Sequence, residues 1–162
     1  MITFLAPDEK ILATAQTALA QSHADIRIEQ GLLSAGVEKA RELINGGTEI
    51  IISRGGTAKA IKETFPDIIV VELPITGFDI LRTVHQARSL GRRVGVVAFA
   101  SMILGIDCLP PILDVELRQY LIENEFEAEG KVLQAFRDGA EVIVGGVIIG
   151  HEARKHNLPH VL

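Results

Sequence analysis

The chain has 162 residues, 48% of them hydrophobic, 15 glycines, and a formal net charge of -5. This much apolar surface excludes intrinsic disorder, and the excess of Asp and Glu argues against a nucleic-acid-binding face, which needs clustered cations to displace counterions. The single cysteine, Cys108, excludes a disulfide framework and a cysteine-built zinc cage.

In chain order, short β-branched runs fall at residues 2–5, 26–28, 49–52, 68–71, 94–98, 117–122, 141–144 and 161–162. Several, such as Ile50-Ile51-Ile52, are apolar on both faces, as strands of buried parallel sheets are. Ile26-Arg27-Ile28-Glu29 alternates instead and predicts an edge strand. All these runs are too short to cross a bilayer, and no basic segment precedes the first, so no signal peptide is read. A soluble, cytoplasmic, reduced protein without membrane contact is expected.

Between the runs the period changes to that of a helix. Ile11, Leu12, Ala15, Ala18 and Leu19 form one stripe, and Leu33, Val37, Ala40 and Ile44 a second. Ile80, Leu81, Val84 and Ala87 form a third, in a helix expected over residues 78–90 with Gly91 as its C-cap. Asp8 is read as the N-cap of the first helix. The alternation predicts an α/β fold with a parallel sheet.

An internal repeat organises these elements. Glu49 in Gly-Thr-Glu-Ile-Ile-Ile-Ser and Glu141 in Gly-Ala-Glu-Val-Ile-Val-Gly lie 92 positions apart, and so do Ile2 and Val94 at the start of two further matching strands. We therefore expect a tandem duplication, with one α/β unit over residues 1–91 and a second over 92–162. The second is expected to be truncated, because the repeat runs out inside its last strand and no counterpart of the 78–90 helix follows.

In parallel α/β sheets ligands sit at the carboxyl ends of strands, so the strand-to-helix junctions of two facing units are expected to converge on a cleft. Ser53-Arg54-Gly55-Gly56-Thr57 is the sharpest of these junctions. The glycine pair permits a tight turn, helix amides beyond it attract an anion, and Arg54 supplies a bidentate donor for a carboxylate or phosphate. The alternative is a plain glycine-rich turn with Thr57 as an N-cap and Arg54 on the surface. The loop lacks the Gly-Lys-Ser/Thr of a phosphate-binding Walker motif. Thr76 and Asp79 fit a capping box, which leaves Thr76 and Phe78 as candidate ligand contacts. Gly145-Gly146 repeats the glycine pair without an arginine, and Ser101 is read either as an N-cap or as a ligand hydroxyl.

His151 and His156 stand five apart and diverge around a helix, so they do not share a metal. A phosphoacceptor receiver is excluded because Ser53-Arg54 replaces the aspartate expected at the end of the third strand. Cys108 lacks an activating base nearby in sequence and is read as structural. No nucleophile–base pair, metal set or cofactor motif emerges, which favours binding over catalysis.

Residues 51–58 (Ile-Ile-Ser-Arg-Gly-Gly-Thr-Ala), 70–73 (Val-Val-Glu-Leu) and 76–82 (Thr-Gly-Phe-Asp-Ile-Leu-Arg) resemble the N-terminal receptor domain of propionate catabolism activators, bacterial sigma-54-dependent transcriptional regulators. Further matches lie at 94–99, 127–139 and 142–146, so the resemblance runs along the whole chain. It implies two chelatase-like, or periplasmic-binding-protein-like, units with four-stranded parallel sheets closing on an effector. It also implies that the effector is a small organic acid, of methylcitrate type in the propionate regulators, and that the partners are AAA+ ATPase and helix-turn-helix DNA-binding domains in the same parent chain. Arg54, Gly55, Gly56, Thr57, Thr76, Phe78, Ser101 and Gly146 are the expected ligand contacts. Two rival readings remain: a two-unit α/β enzyme, an isomerase or chelatase-like protein using His151 or Asp79 as acid/base, and a module whose role is to form a homo-oligomer.

Overall fold

The computed structural model describes residues 1–22, 24–99 and 106–162 and divides into two units, Met1–Pro74 and Ile75–Leu162.

The first unit runs β1 (Ile2–Ala6), α1 (Glu9–Ala20), β2 (Ile26–Gln30), α2 (Leu33–Asn45), β3 (Ile50–Arg54), α3 (Gly55–Thr64) and β4 (Ile69–Leu73). All strands are parallel, in the order β2-β1-β3-β4, which puts the alternating strand β2 at an edge as its pattern predicts. Asp8 starts α1 as expected, its Oδ1 accepting from Ile11 N at 2.8 Å. One sheet face is closed by α2 and α3: Leu5 and Ile51 meet Ala40, Leu43 and Ile61, with Val70 at the margin. Two buried polar side chains in this sheet are satisfied internally, since Ser53 Oγ donates to the Leu5 carbonyl at 2.9 Å and the Thr3 and Thr48 hydroxyls share a 3.0 Å bond. The opposite face carries only α1, which packs on β1 and β2.

The second unit contains α4 (Gly77–Ala87), β5 (Arg93–Phe99), a 3₁₀ turn (Ile106–Cys108), α5 (Leu109–Leu113), β6 (Glu116–Ile122), α6 (Ala128–Arg137), β7 (Val142–Gly145), α7 (Val147–Lys155) and β8 (His160–Val161). Its sheet repeats the first in order, β6-β5-β7-β8, and again all strands are parallel. The register repeats as well: Ile2 faces Ile50 in one sheet and Val94 faces Val142 in the other. Two four-stranded sheets of the same topology agree with the duplication read from the sequence.

Three details differ from the sequence expectation. The break between units falls after Pro74, not after Gly91. Its cause is α4, whose Val84 and Ala87 are buried against Val94, Val96, Val142 and Val144 of the second sheet. The sequence repeat leaves the second unit without a counterpart of this helix; in the structure α4 itself covers that face, resting on β7 and β8. The fourth strand of the second sheet is formed, Val161 pairing with Val144. Finally, α4 ends at Ala87, and Gly91 is not its cap. A Cβ on Gly91 would lie 2.4 Å from the Cβ of Glu141, so glycine is needed there for close approach.

Glu141 uses that closeness. Its Oε2 accepts from the backbone N–H of Arg92 at 2.8 Å and of Arg93 at 3.1 Å, joining the start of β5 to the start of β7. These N–H groups, Arg93's first, hold the carboxyl below the usual carboxylate range. A lowered pKa contributes stability that is present at neutral pH and disappears as pH falls through it. Glu141→Gln should therefore lower Tm at pH 7, with the gap to wild type closing as pH falls through the lowered range of this carboxyl, as thermal melts over a pH series will read. Asp79→Ala removes the capping box of α4, in which Asp79 Oδ2 accepts from Thr76 N at 2.9 Å. Because α4 closes the second sheet, this change should cost about 1 kcal/mol in a denaturant titration.

Candidate functional site

The carboxyl end of β3 carries the feature on which the site is built. Arg54 is both the last residue of β3 and the N-cap of α3, in an extended conformation (φ -141, ψ 163) with no side-chain cap for the helix. Gly55 follows at φ +61, a left-handed conformation that glycine adopts without a Cβ penalty. The chain can therefore enter the helix directly from the strand, and the N–H groups of Gly55, Gly56 and Thr57 stand in a first turn that has no intrahelical acceptors for them. The Arg54 guanidinium is half-buried and makes no hydrogen bond or ion pair among the described residues.

The Thr57 side chain differs from the N-cap reading of the sequence. It is buried and does not cap α3; its Oγ1 accepts from Leu33 N at 2.9 Å. Leu33 has φ +48, so this bond holds the strained entry to α2. The Thr57 methyl also lies 2.6 Å from where a Cβ on Gly36 would be, which locks α2 against α3. Thr57 thus offers a ligand its backbone amide, while its hydroxyl belongs to the fold.

The equivalent junction in the second unit is Gly145-Gly146. Gly145 is sterically required, since a Cβ there would lie 2.5 Å from Ile149 Cγ2 and 2.8 Å from the Val97 carbonyl oxygen. Gly146 is the N-cap of α7 and, like Arg54, supplies no side-chain cap. Open space surrounds it, with no described atom within 4 Å of where a Cβ would stand. Both strand-end helices, α3 and α7, therefore begin with uncapped amides, whereas α1 and α4 are capped by side chains at their own N-termini. The first turn of α5 contains Pro110 and Pro111, which have no N–H to offer.

Thr76 is exposed and committed to its capping box: Oγ1 donates to Asp79 Oδ2 at 2.8 Å and accepts from Asp79 N at 3.2 Å. Phe78, in the first turn of α4, is 82% exposed, an uncommon cost for a large aromatic. Ser101 lies outside the described residues. Arg54, Gly55, Gly56 and Thr57 therefore form one cluster in the first unit, and Thr76, Phe78 and Gly146 belong to the second.

The residues named for acid/base work are engaged elsewhere. Asp79 Oδ1 accepts from Arg82 at 2.8 Å while Oδ2 serves the cap. His151 is exposed beside Glu152. His156 Nε2 meets Glu129 Oε1 at 2.8 Å, joining α7 to α6. Glu129, Glu152 and His156 bring their polar atoms within 4.8 Å of one another, but Lys155 Nζ already sits 3.0 Å from Glu129 Oε1 and 3.4 Å from Glu152 Oε2. That ammonium first, then His156, holds the Glu129 carboxyl below its ordinary range. Cys108 closes the 3₁₀ turn and is exposed.

Sequence reasoning missed a small cavity at the amino end of the second sheet, lined by Arg93, Arg118, Tyr120 and Asp138 among others. Arg93, Arg118 and Asp138 are paired within the protein. Arg93 Nε donates to the Gly139 carbonyl at 2.7 Å and its Nη2 lies 3.0 Å from Glu141; Tyr120 donates to Asp138 at 3.1 Å. Burial, ahead of these partners, raises the Tyr120 pKa. No periodic pattern marks such a cavity, because its residues come from three separate segments.

No helix among the described residues is long and apolar enough to cross a membrane. The two-unit fold recurs in solved structures. An NtrC family transcriptional regulator from Clostridium acetobutylicum superposes with a TM-score of 0.89 at 22% identity, over 99% of this chain and 84% of that one. An ABC domain from Streptococcus pneumonia, in complex with L-Trp, gives 0.56 at 11% identity over 99% and 73%. A LacI family transcriptional regulator from Mycobacterium smegmatis gives 0.50 at 12% identity over 98% and 74%. At these identities the likeness concerns the fold. The sequence itself matches the family described as propionate catabolism activator over residues 20–162. With nearly all of its length inside that match, the chain belongs to the propionate catabolism activator family.

Proposed function

We propose that the chain is the sensory receptor domain of a sigma-54-dependent transcriptional activator, and that it takes a small organic acid at the carboxyl ends of its strands. The observation that carries this reading is the Arg54 guanidinium, unpaired among the described residues, beside the uncapped amides of α3. A carboxylate satisfies both at once: two oxygens engage the guanidinium fork, and the helix N-terminus adds N–H donors and a favourable dipole. An acid with a second carboxylate uses the two groups separately. Thr76, Phe78, Ser101 and Gly146 are further contacts in this reading. The amides of α7 behind Gly146 offer backbone donors without added charge, which suits a neutral oxygen of the ligand.

Family membership supports a role in transcriptional control, exerted by binding. An effector acts by binding one conformation of its receptor more tightly than another, and only that difference in affinity reaches the AAA+ ATPase and DNA-binding domains proposed for the parent chain. The acidic balance supports a receptor that does not itself meet nucleic acid.

Calorimetric titration with tricarboxylic and short dicarboxylic acids tests the assignment. Arg54→Ala should weaken binding by about tenfold or more, the loss expected for charge-assisted hydrogen bonds, and Arg54→Lys should recover only part of it. Equal affinity in wild type and Arg54→Ala overturns the role given to Arg54. Gly146→Ala provides a separate reading. Its φ of -79 and open surroundings accept a methyl group without loss of Tm, so any weakening reports close approach of ligand to that backbone.

A further inference from the structure

The packed helices α6 and α7 bring together side chains that neither the sheet nor the proposed effector site uses. Glu152 in α7 and His156 at its end stand four residues apart and so share one face of the helix. Glu129, in the first turn of α6, meets them from the neighbouring helix. One oxygen of each carboxylate and a ring nitrogen of His156 all lie within 4.8 Å of one another. Among the described residues this is the one place where three such groups converge. The histidine pair evident in the sequence, His151 and His156, diverges around the helix; the structure gives His156 different companions, one of them 27 residues away.

The centre of this cluster is a place for positive charge. Lys155 Nζ reaches into it, 3.0 Å from Glu129 Oε1 and 3.4 Å from Glu152 Oε2. Its hydrogen bond to Glu129 holds the ammonium above its ordinary range, and the same bond holds the Glu129 carboxyl below its own. Glu152 is the more sheltered carboxylate, its side chain only 13% exposed, so its charge calls for a cation close by. The Lys155 side chain is itself 53% exposed on a flexible stem and can swing into water without disturbing the helix.

We propose that Glu129, Glu152 and His156 form a binding site for a divalent transition-metal ion, zinc foremost, which enters as Lys155 swings out. Zinc takes nitrogen and carboxylate oxygen at about 2.0–2.2 Å, which sets neighbouring ligand atoms of a tetrahedral site roughly 3.4 Å apart. His156 Nε2 and Glu129 Oε1 are 2.8 Å apart and the whole set spans no more than 4.8 Å, so side-chain rotations alone suffice to close it on an ion. An imidazole among the donors argues against calcium and magnesium, which take oxygen. Three protein donors leave the fourth position to water. The ion replaces an ammonium by a divalent charge between the same two helices and cross-links α6 to α7. The site shares no residue with the contacts proposed for the acid, so either reading stands or falls without the other.

Zinc titration by calorimetry, on the chain first stripped with EDTA and dialysed, tests the site. One zinc ion should bind per chain and raise Tm by mass action. In proton–nitrogen NMR spectra of the imidazole rings, His156 should shift on zinc addition while His151 does not. His156→Ala and Glu152→Gln should each weaken binding by at least about tenfold, and His151→Ala should leave it unchanged. Lys155→Met removes the competing ammonium, keeps an apolar stem and should tighten binding by about tenfold. Because this variant gains affinity, it reads the site even if the other two fold poorly. Zinc that binds equally well after His156→Ala, or that His151→Ala weakens as much, is adventitious surface binding and overturns the assignment. So does an affinity that Lys155→Met leaves unchanged, or the absence of heat and ring shifts at zinc concentrations up to about 1 mM.

Discussion

A four-stranded parallel sheet has two apolar faces, and three crossover helices do not cover both. That constraint governs the structure of this protein. In each unit two helices pack together on one face, α2 with α3 and α6 with α7, and one helix, α1 or α5, lies on the other. The uncovered half of the second face needs a further helix, and the second sheet obtains it from α4. Burial of Val84 and Ala87 at 0% exposure shows how complete that closure is. At about 25 cal/mol per Å² of apolar surface removed from water, a helix stripe of this size is a large part of the net stability of a small unit.

The same constraint explains features that otherwise look unrelated. The capping box of Thr76 and Asp79 marks the start of a helix that must hold firm because a whole sheet depends on it. Gly91 lacks a side chain so that Glu141 can reach the first amides of β5, bringing the chain from α4 directly into the strand it covers. On the first sheet no described helix takes the corresponding place, and Ile69 and Val71 are exposed.

The strand ends answer to a different requirement. Helices that begin immediately after a strand have no room for a capping loop, so α3 and α7 present bare amides. In the first unit an arginine stands at that junction and in the second a glycine, at positions 92 apart. The two junctions therefore share bare helix amides and differ in charge. The Thr57 hydroxyl, in the first turn of α3, is already bound to the Leu33 N–H and serves the backbone.

Much of this was legible in the sequence. Apolar runs such as Ile50-Ile51-Ile52 located the eight described strands, because strands buried on both faces must be apolar throughout. The helix stripes, Asp8 as a cap and the Thr76–Asp79 box are local patterns set by backbone hydrogen bonding, and they read correctly one element at a time. The shared offset of 92 disclosed the duplication before any strand order was known. What the sequence could not assign was ownership. Whether α4 closes the sheet it follows or the sheet it precedes leaves its periodicity unchanged, since an amphipathic stripe states that a face is buried and not against what. The use of the Thr57 hydroxyl, the contact of Gly91 with Glu141 and the bare face of β4 likewise involve residues far apart in the chain. Local chemistry determined the elements, and only packing between distant segments decided which sheet each helix serves and which polar groups are left for a ligand.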